Sequence, residues 1–262
     1  MSNNSSQAVS PVAPVAPVAQ QAMLQQAMQQ QAMQQQAMLQ QAMQQHGVPN
    51  SNALDLPFNK YSNYEKLKRA GIDDNNSYQG AKNLNDTQIE AMIELKTAGI
   101  CDFYSYHGSK DLNDTRIEAM IELKTACIRD MDSYFGARDL INAAQIKTMI
   151  DLKRADIDDS NSYYGAKNLD AAQIDTMLEL KRAGIGDNES FMGAKNLNVA
   201  QIKTMIELKT ACICDFYSYL GASGFDAAQI DTMLELKRAG SRDSTSYKAG
   251  SDLNATQIEA ML

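Results

Sequence analysis

Proline stops early in this chain. All five prolines lie at or before Pro57, so nothing downstream interrupts a helix by that route. Charge is missing from the opposite end: residues 1–54 contain no Asp, Glu, Lys or Arg, and the first charge is Asp55. His46 and His107 are the only histidines, and neither sits in a Cys/His/Asp cluster at metal-ligand spacing. No apolar run reaches membrane-spanning length. The N-terminus has no basic region, and Pro14 and Pro17 break Val12–Ala19, so no signal peptide is read there. The expectation is a cytoplasmic protein without membrane insertion, non-classical secretion being left open.

Cys101, Cys127, Cys212 and Cys214 form no C-x-x-C pair, so no zinc site is expected. They are expected to be small, partly buried residues of a reducing compartment. No G-x-S-x-G, P-loop, G-x-G-x-x-G or H-E-x-x-H motif occurs. The reading is therefore a non-enzyme: no catalytic residue, no cofactor and no metal. The balance of 24 basic against 32 acidic residues, a net charge of −8, disfavours nucleic acid and anionic membranes as partners.

What is present is a repeat. Leu56, Leu84, Leu112, Leu140, Leu169, Leu197, Phe225 and Leu253 recur every 28 residues, with one extra residue in the unit that starts at Leu140. Seven units and a fragment fill residues 56–262. In the unit from Leu84, Asn85 and Gln88 have capping-box spacing, and Leu84 and Ile89 have that of a hydrophobic staple. The same pair recurs at Asp170/Gln173, Asn198/Gln201 and Asp226/Gln229, with Arg116 as the exception. This first helix, helix A, is predicted to stop at Gly99, with Lys96 complementing the helix dipole. Ile89, Ala91, Met92, Ile93, Leu95 and Ala98 spread over more than half its circumference, which suits a helix sandwiched between neighbours. A shorter helix B follows, with Asp102 as its expected N-cap, Ser105 at N3, and Tyr106 packing beneath Ile100. Gly108-Ser109-Lys110 is expected to close it, with Asp111 leading into the next Leu. The predicted fold is all-α: an α-solenoid of 28-residue helix–turn–helix repeats with a low-complexity N-terminal arm.

The arm divides into an extended Pro/Val/Ala segment over 1–19, a Gln/Ala/Met segment over 20–46 and a linker over 47–55. Pro-Val-Ala three times favours polyproline II. Met23, Met28, Met33, Met38 and Met43 follow a period of five, which winds around a helix and makes no heptad seam. The tract reads as a conditional helix or disordered segment used for self-association. Ile258, Met261 and Leu262 at the unfinished last unit are a second self-assembly candidate.

Information about partners lies where the units differ. The pair after the helix-B Asp varies, as does the residue after the Tyr. Phe103, Tyr104, His107, Met131, Phe135, Tyr164, Met192, Phe216, Tyr217 and Leu220 are the candidate partner-binding residues of those columns. In the column after the helix-A Ile, Lys147, Asp175, Lys203 and Asp231 alternate in sign and are expected to pair between units.

Leu95-Lys-x-Ala-Gly-Ile-x-Asp-x-x-Ser-Tyr-x-Gly-x-Lys110 resembles the short helical hairpin of the bacterial SHOCT family, whose pattern is roughly L-x-x-L-x-x-x-G-x-I/L-x-x-x-E-F-x-x-x-K. Tyr stands for Phe and Ser for Glu, and tandem copies depart from the family's usual single one. The resemblance implies a module of oligomerisation. Two functions follow: a structural scaffold that assembles with itself, as a filament or sheath, or an adaptor or effector that binds a protein or peptide along helix B.

Overall fold

The computed structural model describes residues 56–252 and Gln257. The expectations for 1–19, 20–46 and 47–55, and for Met23, Met28, Met33, Met38, Met43, Ile258, Met261 and Leu262, lie outside the described residues. Among the described residues the fold is an all-α solenoid of paired helices. In chain order these are α1 (Phe58–Arg69), α2 (Asp74–Asn83), α3 (Asp86–Thr97), α4 (Asp102–Asp111), α5 (Asp114–Thr125), α6 (Asp130–Asp139), α7 (Ala143–Arg154), α8 (Asp159–Asn168), α9 (Ala171–Arg182), α10 (Asp187–Asn196), α11 (Val199–Thr210), α12 (Asp215–Gly224), α13 (Ala227–Arg238) and α14 (Asp243–Asp252). The odd-numbered helices are helix A of successive units and the even-numbered are helix B. Each A packs on its own B, then A on the next A and B on the next B, so the units form two layers.

Local chemistry sets the helix ends. The Asn85 side chain accepts from Gln88 N–H at 2.9 Å while Gln88 Oε1 accepts from Asn85 N–H at 3.1 Å. The box repeats at the three other predicted pairs. Arg116 instead leaves Asn113 with a one-way cap and sends its guanidinium to the Arg138 carbonyl. Helix A ends in a Schellman turn: Gly99 N–H reaches Lys96 O and Ile100 N–H reaches Leu95 O. Gly99 has φ +81°, but Cys127, Asp156 and Cys212 hold the same left-handed position at φ 62°, 62° and 61°. All four cysteines are exposed, contrary to the expectation of partial burial. Cys127 and Cys212 sit on that turn, and Cys101 and Cys214 precede a helix B at its N-cap.

Most of the core lies between units; Leu56, Tyr61, Tyr64 and Ala81 form a further cluster within the first. Leu67 and Ile72 of the first unit cluster with Leu84, Ile89, Met92 and Tyr106 of the second. The same composition recurs at each later junction. This corrects the placement of the helix-B ring: Tyr106 packs with Ile72 of the preceding unit, while Ile100 receives Tyr134 of the following one. A unit of this length is too thin to bury both helices against each other, so the apolar arc of helix A needs neighbours on two sides.

Two further expectations change. Helix B does not close at Gly108; it continues to Asp111, and Gly108 is a point of close approach. A Cβ there would stand 2.8 Å from Leu95 Cδ1 and 3.1 Å from Met120 Sδ. The alternating column does not pair between units either. Lys147 turns to Asp151 on its own helix, and no ion pair among the described residues joins Asp175, Lys203 or Asp231.

Candidate protein-interaction face

Helix B presents its variable residues on a rigid base, and the recurring Asp builds that base. The structure places Asp102 and its equivalents at the first helical position, one residue later than expected; Cys101 is the N-cap. The displacement has a cause: both carboxylate oxygens are already engaged. Asp102 Oδ1 pairs with Lys96 Nζ at 2.5 Å, and Oδ2 accepts the N–H of Asp73, the N-cap of the preceding helix B, at 2.9 Å. The clasp recurs through Asp130, Asp159, Asp187, Asp215 and Asp243. The Lys that closes helix A therefore has a specific partner besides the dipole. Burial opposes the charge of Asp130, Asp159 and Asp243, but the lysine and the donated N–H outweigh it and hold these carboxyls below the usual range.

Beside the clasp, Ser105 is fully buried and donates to the Ile100 carbonyl at 3.1 Å, tying helix B to the turn before it. A second ladder runs along the outer end of helix B. Its last residue bonds the ring hydroxyl of the next unit: Asn83 to Tyr106 at 3.1 Å, Asp111 to Tyr134 at 2.9 Å, Asp139 to Tyr163 at 2.7 Å and Asn196 to Tyr219 at 3.2 Å. Where Phe191 replaces the Tyr, Asn168 turns back to the Tyr164 carbonyl. The Arg138 guanidinium, against the opposition of burial, holds Asp139 well below the carboxylate range, with Tyr163 and Lys167 adding to it.

On this base the ten candidate residues separate into two groups. Phe103 (55% exposed), Met131 (41%), Tyr164 (50%) and Phe216 (55%) stand out to solvent. Tyr104, His107, Phe135, Met192, Tyr217 and Leu220 are half-buried. Phe103 lies 5.1 Å from Tyr104 and 4.5 Å from His107, and Tyr104 lies 5.8 Å from Tyr134 of the next unit. Arg138 covers Phe135 at 4.6 Å, and Tyr164 stands 6.3 Å from Phe191. Units two and six present the same arrangement, with Phe216 5.3 Å from Tyr217 and Tyr217 5.4 Å from Tyr247. The rings are thus held by their neighbours before any partner arrives.

Sequence reasoning missed two exposed apolar residues, Ile141 at 85% and Val199 at 75%. Ile141 is the extra residue of the unit from Leu140, and that irregularity was the available signal. The recurring Asp, Ser and Tyr are spent on the clasp, the turn and the ladder. No group of three or more His, Cys, Asp or Glu among the described residues is placed to hold a metal ion. No helix among them is long and apolar enough to cross a membrane. In comparison with known proteins, no family model and no curated protein matches the chain.

Proposed function

We propose that this chain is a non-enzymatic repeat scaffold that binds a protein or peptide partner along its helix-B face. The observation that carries the reading is the concentration of exposed large apolar side chains there: Phe103, Met131, Tyr164 and Phe216 all project from helix B. Such residues are costly to leave in water, and aromatic anchors of this kind dominate protein interfaces. They sit in columns whose residue type varies between units, on helices fixed by two inter-unit ladders, so little ordering entropy is lost on binding. A net charge of −8 favours protein over nucleic acid as the partner. Replacing Phe103 and Phe216 with Ser should abolish partner capture while leaving helix content and melting temperature unchanged. Capture that survives the double substitution contradicts the reading.

Self-assembly is the second reading, in keeping with the SHOCT resemblance. The junctions after units two, four and five are built alike, so the leading face of one such unit resembles what the trailing face of another already packs against. Two copies stacking head to tail through such faces would extend the solenoid into a filament or sheath. The Gln/Met-rich arm is the other proposed contact. Light scattering of the full chain and of a variant lacking residues 1–54 separates the two readings. Assembly lost with the arm supports the second; a monomer that still captures a partner supports the first.

A further inference from the structure

The helix-A layer carries a feature of its own where the repeat is irregular. The extra residue lengthens the connection between α6 and α7 to Leu140-Ile141-Asn142, where the corresponding connection between α4 and α5 is Leu112-Asn113. Asn142 takes φ −146° in place of the −81° to −88° of the other Asn or Asp caps of helix A. Gln145 then accepts from the Ile141 N–H at 2.7 Å, so the box closes on the inserted residue. Gln88, Gln173 and Gln201 each reach the carbonyl near the end of their own helix B, at 3.4 Å. Gln145 makes no such bond.

The result is a groove of about 470 Å³ between α5 and α7. The corresponding spaces between α3 and α5 and between α7 and α9 are about 210 Å³ and 380 Å³. Its floor is the half-buried Ala119 and the edges of the core residues Ala137, Leu140 and Ile146, and the apolar surface it offers is chiefly Ile141 at its mouth, 85% exposed. One wall carries Glu118 and Glu122, both exposed, and neither joins an ion pair. The one cation of the lining, Arg116, is committed to the Arg138 carbonyl. The acidic wall continues into the adjoining space, where Glu94 and Asp114 also lack ion pairs.

We propose that this groove docks an amphipathic helix of a partner protein, with the apolar side of that helix on Ile141 and the groove floor. Lys or Arg residues flanking its apolar side would face Glu118 and Glu122. Charge complementarity selects the partner: an apolar floor under an unpaired acidic wall favours a basic amphipathic segment and repels an acidic one. The site is on the layer away from Phe103 and does not depend on the helix-B reading.

The test uses a short synthetic Leu/Lys amphipathic peptide and its Leu/Glu counterpart, titrated into full-length protein by fluorescence anisotropy. Ile141→Ser and the pair Glu118→Gln with Glu122→Gln should each weaken Leu/Lys binding about tenfold. Glu207→Gln with Glu235→Gln changes net charge equally on other helices A and should leave binding as it is, as should Phe103→Ser. The Leu/Glu peptide should not bind. The proposal is overturned if the native protein does not bind the Leu/Lys peptide. It is equally overturned if the groove variants bind like the native chain, or if the distant pair weakens binding as much.

Discussion

The carboxylate of Asp187 joins two units at once: Oδ1 pairs with Lys181 at 2.5 Å and Oδ2 accepts the N–H of Asp158, in the unit before, at 2.9 Å. Charged hydrogen bonds to partly buried groups are worth about 1.5–3 kcal/mol. Asp187→Ala should therefore cost about 2–4 kcal/mol once the stranded N–H and the lost ion pair are included. Because solenoid units are coupled mainly to their neighbours, the loss should concentrate at one junction. Hydrogen exchange should show protection falling on α8 and α10 before the distant helices; uniform loss would contradict a local clasp.

The clasp also sets an acid limit. Asp130, Asp159 and Asp243 have depressed carboxyl pKa values, so their stabilisation is present above the unfolded value of about 4. It is lost as pH falls through the folded values. Asp132 behaves oppositely: burial raises it, Arg129 opposes, and the charge of Asp159 adds to the rise. Its ionisation above the unfolded pKa therefore works against the fold. Asp132→Asn should raise the melting temperature at pH 7 and change it little near pH 3, as scanning calorimetry at both values would show.

Phe225 and Gly250 are matched. Phe225 takes the column that is Leu elsewhere and stacks on Tyr247 at 4.8 Å; a Cβ on Gly250 would lie 3.0 Å from its Cε2. The other units hold Ala or Ser where Gly250 stands. Gly250→Ala should cost about 1–3 kcal/mol through overpacking. Adding Phe225→Leu should recover the part due to the ring, but not the part due to the Gln229 carbonyl, also 3.0 Å from that Cβ, in a double-mutant cycle by chemical denaturation.

The left-handed turns offer a gain in stability. Cys127, Asp156 and Cys212 occupy φ near +60°, a conformation that costs a side chain about 1–2 kcal/mol relative to Gly. The greater entropy of Gly in the unfolded chain offsets part of this. Each substitution to Gly should stabilise by about 0.5–1 kcal/mol, and Cys212→Gly, two units beyond Asp156, should add independently to either of the others. Urea midpoints of the single and triple variants would test both statements.

The repeat made the fold legible before any coordinates. The box at Asn85 and Gln88 and the stop at Gly99 needed only spacing and propensity, and the wide apolar arc of helix A needed only a count of its faces. Relations that cross a unit boundary were not legible. Asp102 looked like a cap because nothing in one unit shows that its oxygens belong to Lys96 and to the preceding Asp73. Gly108 looked like a terminator because the close approach of Leu95 and Met120 comes from packing. Tyr106 was assigned to its own unit although its cluster is the neighbour's. At the candidate face, the variable columns mark the surface, but its division into four exposed and six half-buried residues depends on how adjacent helices B lean together.

If these four anchors meet a partner, each lies against it in the complex. Photo-crosslinking from position 103 tests it most directly, with Phe103 replaced by a photoreactive phenylalanine analogue in cells that make the protein. Position 188, the same column but Asn, serves as the control. A discrete crosslinked protein is expected from 103 and from 216, and none from 188. A product of twice the chain's own mass would identify the partner as a second copy. No product from 103 or 216, or equal yields from 188, would contradict a helix-B binding face.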